Sequence, residues 1–283
     1  MNTNSITKQC RAKINLAIDV LGRRQNGYHD VRMVMQQVDI CDTVRIDLRG
    51  DGRIILHGEN MPCDESNLAY RAARAFFDTA KINPGCDIYI EKRIPMGAGM
   101  AGGSTDAAGV INGLDEVMGT GMSLDERMRI GGRLGADIPF CIMGGCVLAE
   151  GIGDELTPLP EPPKVYYLIA KPVQSVSTKW VYEHLDFTKK PEGLDIDALV
   201  EAVKRGDLNG IYKNMGNVLE NATVTICPEV EAYKAEMLRL GAEVSLMSGS
   251  GSAVFGIFGD KARADAAFEM FKTSHPDAGL WLV

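Results

Sequence analysis

The run Pro95-Met-Gly-Ala-Gly-Met-Ala-Gly-Gly-Ser-Thr-Asp-Ala-Ala108 has the residue types and spacing of a loop that holds phosphate. Gly97, Gly99, Gly102 and Gly103 let the backbone approach a ligand closely and take conformations closed to other residues. Ser104 and Thr105 open an apolar segment, Ala107 to Leu114, that the pattern predicts as a helix. Its first unpaired N–H groups and positive end would then face an anion. The chemistry this implies is nucleotide chemistry, and the plain alternative is a flexible surface loop without a ligand.

The surroundings of the run exclude better-known phosphate loops. A Walker loop needs a lysine before its hydroxyl residue, and Gly103-Ser104-Thr105 has none. A protein-kinase glycine loop would be followed by His-Arg-Asp and Asp-Phe-Gly segments, which are absent from the sequence. The dinucleotide pattern is the closer rival, because Gly97-x-Gly99-x-x-Gly102 follows a strand-like run, Asp87 to Arg93, and precedes a helix. Pro95 interrupts that unit, and the acid-tipped second strand it requires is replaced by Ser123-Leu-Asp-Glu126, a capping box that starts another helix.

The elements that must position the loop read as a mixed α/β block. Val44 to Leu48 and Arg53 to Leu56 predict a hairpin around Arg49-Gly-Asp-Gly52. A helix is predicted from Asn67, capped by Ser66 or Asn67, through about Ala80, ending near Asn83-Pro84-Gly85. The helix opened at Ser123 runs to Leu134 with Gly135 placed to end it, so Asp137 falls just past a helix end. Pro158-Leu-Pro-Glu-Pro-Pro163 is the densest proline stretch and the expected boundary, giving domains 1–160 and 161–283. Beyond it come a strand from Val165 to Ala170, helices near Ile196 to Arg205 and Glu229 to Leu240, and strands Val244 to Met247 and Ala253 to Phe258 around Ser248-Gly-Ser-Gly-Ser252. The fold class is α+β.

Composition narrows the functional classes. A chain of 283 residues is long for one core, and 45% hydrophobic with 24% charged residues is ordinary for a globular protein. The formal charge of −8 argues against a general nucleic-acid surface, although Arg23-Arg24 can form a local basic pocket. No apolar run approaches the roughly 20 residues of a membrane span. The polar start, Met1 to Lys8, has neither signal nor transit character. Seven cysteines without a CxxC pair suit a reducing cytoplasm, and Cys41 and Cys146 read as packing residues.

The glycine run resembles the second motif of the GHMP kinases, the superfamily of galactokinase, homoserine, mevalonate and phosphomevalonate kinases. Further likeness lies in Ala12-Lys13-Ile14-Asn15-Leu16, Gly22-Arg-Arg-x-x-Gly27-Tyr28-His29, Gln36-Gln-Val-Asp-Ile-Cys-Asp42, Asn67-Leu-Ala-Tyr-Arg-Ala-Ala73, Gly135-Ala-Asp137-Ile-Pro139-Phe140 and Met247-Ser-Gly-Ser-Gly-Ser252. These motifs span almost the whole chain and match best the branch whose acceptor carries a cytidine diphosphate group. Two departures stand within the run: Met100-Ala101 replaces the usual Leu-Gly, and Thr105 stands where serine is commoner, both keeping small or apolar character. Glu150-Gly-Ile-Gly-Asp154 more often ends in glutamate, and Glu150 has no assigned role.

The resemblance implies a ribosomal-protein-like N-terminal α/β domain, a ferredoxin-like C-terminal domain, and a site in the cleft between them. It implies an ATP-dependent small-molecule kinase of isoprenoid precursor synthesis. The expected enzyme is cytoplasmic, a monomer or weak homodimer, without nucleic-acid or membrane partners. Asp137 would be the catalytic base and Lys13 its cationic neighbour, which keeps a carboxylate ionised as a proton acceptor. Taken singly, Asp137 reads as a turn or cap residue, and Lys13, in an apolar strand, as a side chain reaching for solvent. Asn67 and Lys92 would lie near the adenine, and Pro95, Met96, Gly97, Ala98, Gly99, Met100, Ala101, Gly102, Gly103, Ser104 and Thr105 around the ATP phosphates. Mg²⁺ would arrive on ATP, with no dedicated metal cluster and Ser104 as its one candidate protein ligand. Asn15, Tyr28, His29, Thr178, Tyr182 and Gly249 would bind the acceptor, Tyr28 and Tyr182 sandwiching its cytosine. Aromatic residues in such loops otherwise cover core edges, and Gly249 to Gly251 otherwise reads as a tight turn.

Overall fold

The computed structural model describes residues 4–25 and 27–283. The first three residues of the polar start, and Asn26 in the motif before Gly27, lie outside the described residues. Two strands are far longer than the others, β1 (Ser5–Arg23) and β2 (His29–Leu48). The chain forms two compact units, and both take part of these strands. The first holds the chain up to Ala12, Asp39–Ile94 and Ala101–Gly144; the second holds Lys13–Val38, Pro95–Met100 and Gly145–Val283.

In the first unit follow β3 (Ile54–Gly58), α1 (Leu68–Ala80), β4 (Cys86–Glu91), α2 (Gly102–Met118), α3 (Leu124–Gly132) and α4 (Ile138–Met143). Alternation along β4 turns Cys86, Ile88 and Ile90 inward, and Ala69, Ala72, Ala73, Phe76 and Phe77 give α1 one buried face at helical spacing. These pack with Val44, Ile46, Val110, Ile111 and Leu114 as one core. Gly109 lets α2 lie close to β1, because a Cβ there would meet Cys10 Sγ at 2.2 Å.

The expected hairpin does not form. Gly52 does turn the chain, with φ at +72°. Yet β3 pairs parallel with β4, and β4 pairs antiparallel with β2, so β4 lies between the two strands expected to be partners. The segment is a β3-α1-β4 crossover, and a parallel pairing across a helix leaves no mark in the turn residues. The capping box of Ser123 and Glu126 forms as read, and Asn67 caps α1.

The second unit contains β5 (Cys146–Glu150), β6 (Glu155–Leu159), β7 (Tyr166–Lys171), α5 (Thr178–Glu183), α6 (Ile196–Arg205), α7 (Leu208–Asn214), β8 (Gly216–Asn217), α8 (Glu220–Thr223), α9 (Glu229–Arg239), β9 (Val244–Met247), β10 (Val254–Phe258), α10 (Lys261–Ser274) and β11 (Gly279–Leu282). The antiparallel order β11-β7-β10-β9, with α9 and α10 between strands in sequence, is a ferredoxin-like arrangement. Strand β10 is buried along its whole length and carries the chain out of the second glycine loop. The second part of β1 pairs with β8 at Ala17 and Ile18, and the first part of β2 pairs with β5 from Met33 to Gln36.

Candidate active site

Within the second unit, the first glycine loop, the second glycine loop and Lys13 converge. Gly99 and Ser248 are in backbone contact so close that a Cβ on Gly99 would sit 2.0 Å from Ser248 O. Ser248 Oγ donates to Gly99 O at 3.1 Å, and Ala253 N donates to Ala98 O at 3.2 Å. A Cβ on Gly249 would lie 2.9 Å from Gly99 O and 3.2 Å from Lys13 Nζ. Lys13 N donates to Met100 O at 3.3 Å, and Lys13 Nζ donates to Asn15 Oδ1 at 2.5 Å. Lys13 is 5% exposed and Asn15 1%, so the lysine does not reach for solvent as its strand setting alone suggests. A buried ammonium needs polar partners to offset its lost hydration, and the Asn15 amide oxygen supplies one of them.

The second loop is itself held from several sides. The buried Asn217 donates through Nδ2 to Met247 O and Gly249 O, both at 2.8 Å. Thr223 Oγ1 donates to Ser250 O, and the Thr178 and Ser250 hydroxyls are 2.8 Å apart. Sequence reasoning missed Asn217; the one signal for it is an amide residue in Met215-Gly-Asn217, where a short strand joins β1.

In the first unit, α2 begins earlier than Ser104 and Thr105 suggest. Ala101 is its cap, with a left-handed φ of +59°, so Gly102, Gly103 and Ser104 form the first turn and supply its unpaired donors. Thr105 is committed elsewhere: its N–H donates to Ala101 O and its hydroxyl to Arg11 O. The replacement of glycine by alanine at 101 therefore concerns backbone conformation as well as side-chain size. Gly102 faces Ile94 and Lys92, with Lys92 Nζ 3.3 Å from the position of a Cβ, whereas Gly103 has only Leu68 Cδ1 at 3.8 Å.

Lys92 is clamped between Asp42 Oδ2 at 2.5 Å and Asp106 Oδ2 at 2.7 Å. Asp42, fully buried, also accepts from Arg93 N and Ile94 N, the last residues before the loop. Burial opposes the Lys92 charge, but the carboxylates outweigh it and hold its pKa above the ordinary lysine value. Burial pushes the Asp106 carboxyl up to about 7 despite the Lys92 charge, with Asp42 adding to the rise. This cluster ties the exit of β4 to the first turns of α2. Asn67 is likewise engaged, its Oδ1 accepting from Ala69 N and its Nδ2 donating to Pro62 O.

Asp137 occupies the cap position of α4, a short helix that sequence reasoning missed. Its carbonyl accepts from Cys141 N, but its side chain makes no capping bond. Pro139 in the first turn of α4 explains the start of the helix. The plain reading of Asp137 as a cap therefore describes its position and not the work of its carboxylate.

Among the proposed acceptor residues, the His29 ring packs on Tyr182 at 5.0 Å between centroids, tilted by 33°, and stacks on Phe187 at 5.9 Å. Phe187 was not foreseen, since nothing in Asp186-Phe187-Thr188 sets it apart from a loop aromatic. Tyr28 is 59% exposed beside this cluster in sequence. Burial lowers the His29 pKa, helped by the Arg23 charge, so the imidazole stays neutral at neutral pH and keeps both a donor and an acceptor. Glu150 now has a structural place: its Oε1 accepts from Arg32 Nε at 2.8 Å, Arg32 also pairs with Asp197, and Val31 N donates to Gly151 O. These bonds fix the start of β2 just after His29.

Among the described residues no group of three or more His, Cys, Asp or Glu could hold a metal ion. No helix among them is long and apolar enough to cross a membrane.

Comparison with known proteins agrees with this arrangement. The model of the GHMP kinases N terminal domain matches residues 67–145, and that of the GHMP kinases C terminal matches residues 199–277. The chain is 46% identical over 269 residues to the 4-diphosphocytidyl-2-C-methyl-D-erythritol kinase of Lachnoclostridium phytofermentans, covering 94% of this chain and 92% of that one. A crystal structure of 4-(cytidine 5'-diphospho)-2C-methyl-D-erythritol kinase superposes with a TM-score of 0.82 at 32% identity, over 98% of both chains. Homoserine kinase from Cytophaga hutchinsonii, at 20% identity and a TM-score of 0.79 over 99% of this chain and 94% of that one, shares the fold. The chain belongs to the GHMP kinases, and within them to the 4-diphosphocytidyl-2-C-methyl-D-erythritol kinase family.

Proposed function

We propose that this kinase transfers the γ-phosphoryl group of ATP to the 2-hydroxyl of 4-diphosphocytidyl-2-C-methyl-D-erythritol, giving the 2-phosphate and ADP in the non-mevalonate isoprenoid pathway. The observation that carries the reading is the convergence of the Gly97–Met100 backbone, the Gly249 loop and the buried Lys13 ammonium. Phosphoryl transfer asks for this kind of positioned positive charge and close backbone approach, with little covalent work by the protein. The N–H groups of Gly102, Gly103 and Ser104 would add the positive end of α2.

In this reading Asp137 accepts the proton of the acceptor hydroxyl. The acceptor oxygen bonds to the γ-phosphorus while the bond to the bridging β,γ-oxygen breaks, and ADP leaves with that electron pair. Lys13 stabilises charge on the transferred group, and Asn15 holds its ammonium in place. Tyr28, His29, Thr178, Tyr182 and Gly249 hold the acceptor, with the neutral His29 reading the polar edge of cytosine. Pro95, Met96, Ala98 and Ala101 shape the loop around the phosphates, and Asn67 and Lys92 border the adenine.

Mg²⁺ would neutralise phosphate charge. A lone hydroxyl, Ser104, fits an ion carried mainly by the nucleotide better than one in a protein cage. We place the reaction in the cytoplasm, where seven free cysteines are at home. A boundary at residues 160 and 161 and action as a monomer or weak homodimer complete the proposal. Product analysis tests it: incubation with ATP and the cytidylyl acceptor should give one new phosphomonoester at C2 by ³¹P NMR, and Asp137→Asn should slow its formation by roughly 10² to 10⁴. A different product, or a variant with about half the wild-type kcat, would refute the assignment.

A further inference from the structure

Lys171 ends β7 and is 9% exposed, yet among the described residues no carboxylate pairs with it. Its ammonium instead faces three successive main-chain carbonyls: Nζ donates to Pro172 O at 2.8 Å, to Gln174 O at 3.3 Å and to Val173 O at 3.5 Å. Three carbonyl dipoles converging on one point repel one another unless a cation sits there. The backbone of 172–174 is thus curled around its own neighbour's charge. Burial also lowers the Lys171 pKa, as expected of an ammonium drawn out of water.

The segment shaped in this way touches both glycine loops and His29 within the second unit. Ser175 packs on Gly97, where a Cβ would meet Ser175 Cβ and Oγ at 3.1 Å. Gln174 O also accepts from Ser252 Oγ at 2.5 Å, beside the second glycine loop. Gln174 Nε2 anchors the segment to Ile226 O at 2.7 Å. Ser177 then caps α5, which presents Thr178 to Ser250 and Tyr182 to His29.

We propose that Lys171 is a positioning residue whose ammonium acts as a built-in monovalent cation. Closing the carbonyl ring of 172–174, it sets the Ser175–Tyr182 segment against both the nucleotide loop and the acceptor residues. The functional consequence rests on the kinase reading above, whereas the carbonyl ring stands on geometry alone.

The test compares wild type with Lys171→Ala and Lys171→Met. Alanine leaves room for propylammonium, which replaces the missing three carbons and nitrogen; methionine fills that room without a charge. Both variants should lose about tenfold or more in kcat/KM for ATP and for the cytidylyl acceptor. Propylammonium chloride should restore Lys171→Ala severalfold, sodium chloride should not, and neither should restore Lys171→Met. Hydrogen exchange in Lys171→Met should rise in residues 172–178 and 95–100 and stay unchanged elsewhere. A Lys171→Ala variant within about twofold of wild type would overturn the proposal. So would a loss that the amine does not relieve, exchange rising throughout the chain, or variants that fail to fold with or without amine, each of which marks a general stabilising role. If wild type itself does not phosphorylate the cytidylyl acceptor, the kinase assignment fails, and the exchange pattern still decides the carbonyl ring.

Discussion

Ser248 Oγ donates to Gly99 O at 3.1 Å, joining two glycine-rich loops that lie 149 residues apart in the chain. Gly99 has φ at +73°, and a methyl group there would strike Ser248 O. Gly99→Ala should therefore cost about 3 kcal/mol or more of stability and weaken ATP binding with it. Gly103 lies in the first turn of α2 with open space beside it. If that space receives phosphate, Gly103→Ala should keep its stability and still bind ATP more weakly. Urea unfolding and calorimetric titration of both variants check the contrast, and an unchanged ATP affinity in Gly103→Ala would remove this residue from the cradle.

Ala101 is the one residue of the run between Pro95 and Ala108 that holds a left-handed backbone without being glycine. That conformation costs an alanine about 1–2 kcal/mol, partly offset by the greater freedom glycine has when unfolded. Ala101→Gly should stabilise the protein by about 0.5–1 kcal/mol, opposite in sign to the same change inside a helix. Chemical denaturation measures it, and a clear loss of stability would show that the α2 cap is not strained.

The Asp42, Lys92 and Asp106 cluster predicts a pH dependence. Asp106 has its pKa raised by burial from 3.8 to about 7, the Lys92 charge opposing the rise and the Asp42 carboxylate adding to it. A raised folded pKa means that the stabilising contribution is complete below the unfolded value and is lost as pH rises through about 7. Wild type should lose stability relative to Asp106→Asn between about pH 5 and about pH 8. Urea midpoints at the two pH values decide this, and a difference independent of pH would contradict it.

The ring cluster around His29 bears on acceptor choice. Each stack on an aromatic base is worth about 1–3 kcal/mol, so Tyr28→Ala and Tyr182→Ala should each raise KM for the cytidylyl acceptor about tenfold or more while sparing KM for ATP. Phe187→Leu, removing only the second partner of His29, should act in the same direction and more weakly. Steady-state kinetics with each substrate varied in turn would reveal an equal rise in both KM values, which would point to a structural effect instead.

Much of this fold is legible locally. Asn67 and the box of Ser123 and Glu126 are side chains bonding to nearby backbone, and their sequence signals translate directly into helix starts. The partner of β3 was illegible because a parallel crossover is settled by packing far along the chain. The start of α2 was misplaced by the hydroxyls of Ser104 and Thr105, which are good caps in general, whereas here Ala101 takes the position and Thr105 bonds to Arg11. Lys13 and Asn15 could be paired by strand alternation, but their burial and the approach of Gly249 depend on the folding of distant segments. Phe187, Asn217 and Lys171 carry no motif, since their contacts are with carbonyls, rings and loops that only the folded chain brings near.

The kinase assignment requires that this chain phosphorylate the 2-hydroxyl of the cytidylyl acceptor. It is tested most directly by kcat/KM for purified protein with ATP and, in parallel, 4-diphosphocytidyl-2-C-methyl-D-erythritol, uncytidylylated methylerythritol phosphate, mevalonate and homoserine. Binding energy from the cytidine group is what would place the hydroxyl against the base, so the cytidylyl compound should exceed each of the others by about 10³ or more. Comparable values for any of the other three would contradict the pyrimidine pocket and leave only a GHMP kinase of another acceptor.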